Sequence, residues 1–245
     1  MTHLHIPDGV IPVPWLVLGF LLSTALLVMS IYQTRTEDLP RKVPRIGVIS
    51  ALMLLTMSIP LGIIPYHLNL TVLAGIILGP WLGFITVFLV NLILGLVGHG
   101  GITVVGLNSL IIGSEVFWGY YLFRKLKTYL KPPLAVGATT LLTLFISSFL
   151  MIGVVGLTQV NPGEFLHHHG HEQALLSGEH QEEQGAVHEH EDHEAVISLT
   201  KFAALVLPLA LLGAVIEALV TSLVVGYFLK VKPDIIETEY LKKSH

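Results

Sequence analysis

Histidine is the residue on which any chemistry in this 245-residue chain turns, and its thirteen copies are unevenly spread. The chain starts Met1-Thr2-His3-Leu4-His5-Ile6-Pro7-Asp8-Gly9, so two imidazoles lie within reach of an α-amino group, and Pro7 and Gly9 end any regular helix there. A deprotonated amine, the next backbone amide nitrogen and a histidine Nδ1 close adjacent chelate rings in one plane. A fourth nitrogen completes a square-planar set, the geometry of Ni(II) or Cu(II). Two registers are open. With Met1 kept, its amine, the amides of Thr2 and His3, and the His3 ring already supply four nitrogens. With Met1 removed, the Thr2 amine and the amide and ring of His3 leave one vacancy, for which His67 is the natural donor. His5 can serve as the side-chain ligand in either case. The competing readings are a tail with chance histidines and, for His67, a histidine that caps a helix end.

A second group is denser. His167, His168, His169, His171, His180, His188, His190 and His193 stand among nine acids between residues 164 and 194, where no Lys or Arg occurs. Imidazole and carboxylate together attract divalent cations. The spacing fits no fixed coordination geometry, so low-affinity metal capture is the expected role. With few bulky apolar residues, the insertion 158–198 is expected to be disordered without metal.

Composition says what must carry these groups. The chain is 53% hydrophobic and 12% charged, with mean hydropathy +0.75, values of an integral membrane protein. No cysteine is present, so thiolate sites and disulfides are excluded. No glycine-rich GxxxxGK[ST] phosphate loop occurs, so ATP hydrolysis would have to come from other subunits. No Lys or Arg precedes Arg35, which argues against a removable signal peptide.

Apolar runs predict an all-α transmembrane bundle of about seven spans: 13–33, 46–64, 68–79, 80–97, 104–123, 134–157 and 199–229. The break within 68–97 is placed at Gly79-Pro80, with proline at a favoured first helical position. The net charge of −4 conceals a split, because outside 164–194 eight acids face thirteen bases. Twelve of those bases lie in 34–45, in 124–133 or in the carboxyl tail. The positive-inside rule then sets the amino terminus outside and the carboxyl terminus inside. That orientation was drawn from Lys and Arg alone, yet it puts every histidine except His245 on the outer face. The chain is expected to form one substrate-binding domain over 1–245, with 158–198 an extracytoplasmic insertion.

Glu115 and Glu217 interrupt apolar runs, and Asn91 and Asn108 lie near membrane depth. Intramembrane acids are costly and often functional. No basic or histidine partner is evident in the spans, so a structural role or a place at a subunit interface is favoured over a proton relay. Small residues such as Gly75, Gly79, Gly83, Gly213 and Ala214 favour close helix contact.

The sequence resembles the cobalt/nickel substrate-binding membrane component of energy-coupling factor ABC transporters. The motifs are His5-Ile6-Pro7-Asp8-Gly9, Tyr66-His67-Leu68 leading to Leu78-Gly79-Pro80-Trp81, and Gly98-His99-Gly100-Gly101-Ile102-Thr103 running to Gly106-Leu107-Asn108. The resemblance implies capture of Ni or Co as transported substrate, with no catalytic cofactor and no enzymatic activity of its own. It also implies a transmembrane coupling protein, two cytoplasmic ATPase subunits and often a small accessory membrane subunit, all in a prokaryotic inner membrane; no nucleic-acid partner is expected. In that family a terminal amine, a backbone amide, a second-position histidine and a histidine matching His67 hold the metal. Here Met1–Leu4 lie ahead of the motif, so His3 satisfies proximity to the amine while His5 satisfies the motif. Asp8, His99 and Asn108 are expected beside the metal rather than on it, Asp8 fixing the terminal turn. The alternative from another class is a proton-coupled secondary carrier for Zn or Ni that uses the two glutamates. An intramembrane metallohydrolase ranks last, since the His-Glu pairs fall in the insertion.

Overall fold

The computed structural model describes residues 11–34, 39–59, 67–98, 101–157 and 199–231. They form six helices: α1 (Val13–Gln33), α2 (Leu39–Ser58), α3 (Thr71–Leu96), α4 (Val105–Leu126), α5 (Pro132–Leu157) and α6 (Leu199–Val231). Residues 1–10, His99 and the insertion from 158 to 198 lie outside the described residues.

α3 is the central helix. Eighteen of its residues are buried, from Thr71 to Leu94, and α1, α2, α4 and α5 all pack on it. A sequence apolar except for the buried Thr71, Thr86 and Asn91 gives it no hydrophilic face to turn outward, which is what a helix at the middle of a bundle requires. α4 is its main partner, and the contact is made by missing side chains. A Cβ on Gly75 would lie 2.6 Å from the Val116 carbonyl oxygen, and one on Gly106 would lie 2.6 Å from the backbone nitrogen of Phe20 in α1. Small residues thus let backbones approach where lipid offers no hydrophobic drive for helix association. The expected close contact at Gly75 and Gly83 is found within the chain, both against Val116.

The break foreseen at Gly79-Pro80 is present. Gly79 has φ 79° and ψ 176° inside α3, a region open essentially to glycine alone. It divides α3 into two half-helices, the second opening on Pro80.

Among the described residues four helical stretches are long and apolar enough to cross a membrane: Val13–Gln33, Thr71–Leu96, Pro132–Val154 and Ala210–Val231. α2 and α4 fall short of that standard, against the seven runs expected. α2 starts with Arg41, Lys42 and Arg45, and α4 carries Asn108, Ser109, Ser114 and Glu115, which dilute their hydropathy. Three of these polar residues of α4 face protein, since Asn108, Ser109 and Glu115 are buried.

Contacts order the ends of the bundle. Gly95 of α3 meets Val105 of α4, Gly19 of α1 meets Leu107, and Gly137 of α5 meets Ser222 of α6 while Leu144 shares a cleft with Leu207. The start of α1, the end of α3, the start of α4, the end of α5 and the start of α6 therefore share one face of the bundle. The histidine-bearing stretches adjoin that face at residues 11, 98, 157 and 199. The basic segment after α4 lies at the opposite face.

Candidate metal site

Of the ligands expected, His67 is the one within the described residues; Met1, Thr2, His3, His5, Asp8, His99 and the histidines from His167 to His193 lie outside them. Among the described residues no group of three or more His, Asp or Glu side chains is gathered around a common point. The geometry of the site is therefore that of His67 and its support.

His67 opens the non-helical segment 67–70 that leads into α3. It is partly buried, with its Nδ1 atom shielded from solvent, while Leu68, Asn69 and Leu70 are buried. The segment is sunk into the bundle. The Asn69 side chain donates from Nδ2 to Oε2 of Glu115 at 3.0 Å. The N–H groups of Asn69 and Leu70 donate to Oε2 and Oε1 of Glu217 at 3.3 and 3.0 Å. Ser147 Oγ completes the group by donating to Oε1 of Glu115 at 2.6 Å.

The depth follows from helix rise. Glu115 stands ten residues beyond Val105, which is about 15 Å along α4. Ser147 is ten residues before Leu157, again about 15 Å along its helix, and Glu217 is eighteen after Leu199, about 27 Å along α6. The segment after His67 is thus recessed at least about 15 Å from the face near the insertion, half the thickness of a bilayer core or more. The sequence suggested a shallower place at the end of a span. Irregular backbone at that depth needs protein acceptors for its N–H groups, and the two buried glutamates supply them. The partners of the two carboxylates include an asparagine, a serine and two main-chain amides, in keeping with the structural role favoured from sequence.

Leu70 carries a second sign of constraint. Its φ of 55° and ψ of 21° put it in the left-handed region, which costs a non-glycine residue about 1–2 kcal/mol. A fully buried leucine held there is fixed by its surroundings. α3 has no local side-chain cap at this end, and Glu217 from α6 accepts the two N–H groups just ahead of its first turn.

A family model described as the cobalt uptake substrate-specific transmembrane region, CbiM, matches residues 5–235. The chain belongs to that family. A protein of Methanocaldococcus jannaschii, provisionally named a metal transport protein, is 29% identical over 140 residues, 55% of this chain and 63% of its own length. A protein of Archaeoglobus fulgidus, provisionally named a fused nickel transport protein, is 35% identical over 129 residues, 51% of this chain and 43% of its own. A metal transport protein of Haemophilus influenzae, also provisionally named, is 30% identical over 135 residues, 54% and 62% respectively. The chain thus spans less than two thirds of the length of each of these relatives. Two crystal structures of transition metal transporters share the fold. One, truncated, has TM-score 0.65 at 22% identity and covers 93% of this chain and 99% of that one. The other has TM-score 0.66 at 21% identity, with 98% and 100% covered.

Within this CbiM-family fold, Asn108 sits buried in the first turn of α4, and Glu115 lies two turns further along the same helix. Asn91 Nδ2 reaches Ser109 Oγ at 3.4 Å, tying the second half of α3 to α4. Asn69 was not foreseen from sequence. The available signal was a polar residue two places after His67 within an apolar run, which the motif Tyr66-His67-Leu68 overshadowed.

Proposed function

We propose that the protein captures Ni(II) or Co(II) at an extracytoplasmic site in a prokaryotic inner membrane and delivers it for ATP-driven uptake. It acts as the substrate-binding subunit of an energy-coupling factor transporter, with a transmembrane coupling protein, two cytoplasmic ATPase subunits and a small accessory membrane subunit as partners. Seven spans with the amino terminus outside make the histidine-bearing face the outer one.

The observation that carries this reading is the recessed segment 67–70, which holds a histidine below the face that the amino-terminal segment adjoins. His67 supplies one imidazole nitrogen, and the stretch from Met1 to His5 supplies the others through His3 or His5, an amide and an amine. Neutral imidazole and deprotonated amide nitrogens suit Ni and Co and disfavour the hard cations Mg and Ca. Asp8, His99 and Asn108 are assigned as neighbours of the bound metal. The histidines between His167 and His193 raise the local metal concentration without forming the selective site. Engagement of Glu115 and Glu217 with the segment after His67 favours this reading over a proton-coupled carrier, which would want those carboxylates along a proton path.

Uptake of labelled Ni(II) and Co(II) tests the proposal in cells that lack their own uptake systems for these metals and express the chain with its coupling and ATPase subunits. Metal-specific accumulation that depends on ATP and disappears in His67→Ala is the expected outcome. Accumulation unchanged in His67→Ala contradicts the site assignment, and accumulation without the ATPase subunits contradicts the transporter class.

A further inference from the structure

We infer that Glu217 is a positioning residue for the metal: from α6 it fixes the backbone that presents His67. The inference rests on the metal-binding reading above and adds to it a residue with a separate, testable role.

Two successive N–H groups, those of Asn69 and Leu70, converge on the two oxygens of one carboxylate. Converging main-chain N–H groups of this kind form an anion-binding nest, and here the anion is a side chain 147 residues away along the chain. Two bonds to one rigid group fix the orientation of the peptide plane between them, which a single bond would leave free to rotate. The bond from Asn69 Nδ2 to Glu115 attaches the same residue to α4. Leu70 is strained and fully buried, so the turn would relax if the attachment were weakened. From Asn69 back to His67 the chain can reach no more than about 7 Å, so the imidazole inherits the placement of this anchor. A planar nitrogen set demands such placement, because a ligand displaced by about 0.5 Å is already poorly directed. A short, two-point anchor beside one ligand meets that demand.

Glu217→Gln is the discriminating substitution, since it keeps the shape and exchanges one acceptor oxygen for an NH₂ that faces an N–H. Val225→Ala is the control. Val225 is fully buried on the same helix, eight residues from Glu217, and its truncation loosens α6 without touching the anchor. The full chain in detergent is titrated with Ni(II) from a chelator buffer, so that only a tight site fills, and the ligand-field absorption of the bound Ni(II) and the melting temperature are recorded on the same samples. Glu217→Gln is expected to lose about tenfold or more in Ni(II) affinity and to shift the ligand-field bands. Val225→Ala is expected to melt lower while keeping wild-type affinity and spectrum. Wild-type affinity and spectrum in Glu217→Gln overturn the inference. So do affinity losses in both variants that track their melting losses, which would make Glu217 a stability residue only. Should Glu217→Gln fail to fold, Glu217→Asp, which keeps the charge but withdraws it by one methylene, is read by the same criteria. His67→Ala is run in parallel. Tight binding by the wild type that survives in His67→Ala, or no tight binding by the wild type, sinks the metal site itself rather than the role of Glu217 alone.

Discussion

Gly75→Ala links the packing of the bundle to the support of His67. The added Cβ would lie 2.6 Å from the Val116 carbonyl oxygen and 3.2 Å from its Cα. Both are backbone atoms, so no side chain can swing aside. A comfortable carbon–oxygen contact begins near about 3.3 Å, which means α3 and α4 must part by roughly 0.7 Å. Carried to the start of α3, that shift lengthens the 3.0 Å bond between Asn69 and Glu115 to about 3.7 Å, beyond hydrogen-bonding range. Overpacking costs about 1–3 kcal/mol and loss of a bond to a carboxylate about 1.5–3, against about 1 returned by the better helix former. The net expectation is a loss of about 2–4 kcal/mol, or about 5–15 °C in melting temperature for a chain of this size. Gly47→Ala and Gly226→Ala provide the comparison, because a Cβ at either position meets nothing within 4 Å. The assay is thermal melting in detergent followed by helical circular dichroism. Melting of Gly75→Ala at or above that of Gly226→Ala would refute the claim that backbone contact at this glycine sets the α3–α4 spacing.

Three further outcomes are expected. Gly79→Ala puts a side chain where φ is 79° and ψ 176°, so it should cost about 2 kcal/mol or more and lower the melting temperature accordingly; an unchanged melt would mean that the break in α3 is not glycine-dependent. Ser147→Ala removes the donor 2.6 Å from Glu115 and should cost about 1–3 kcal/mol by the same assay, with Ser148→Ala, whose hydroxyl donates to the Leu144 carbonyl on its own helix, costing measurably less. Deletion of 167–193 should raise the metal concentration needed for half-maximal uptake while leaving a tight site in place; loss of all tight binding in that variant would assign the metal to the insertion.

How much of this was legible in the sequence depended on the range of the interaction. The break at Gly79-Pro80 could be read directly, because both residues act on their own backbone. The sharing of one face by the helix ends that flank the histidine-bearing segments agrees with the placement of Lys and Arg, since charge sorting along the chain is a property of segments and needs no contacts. The buried glutamates were recognisable as costly but not as acceptors for the segment 67–70. Glu217 serves main-chain groups 147 and 148 residues away, and only the packing of α6 against the other helices brings them together. Asn69 escaped notice for the same reason, as its partner Glu115 lies in another helix. Helix α4 read as an ordinary span in outline, yet its Asn108, Ser109 and Glu115 turn inward, a fact of rotation about the helix axis that hydropathy does not carry.

The most direct test of the central claim is calorimetric titration of Ni(II), Co(II) and Zn(II) into the protein lacking residues 167–193, compared with its His67→Ala variant and with a form extended by one residue ahead of Met1. One tight site that prefers Ni or Co, lost in His67→Ala and weakened by the extension, is the predicted result. Weak, unselective binding that is indifferent to His67 would contradict it.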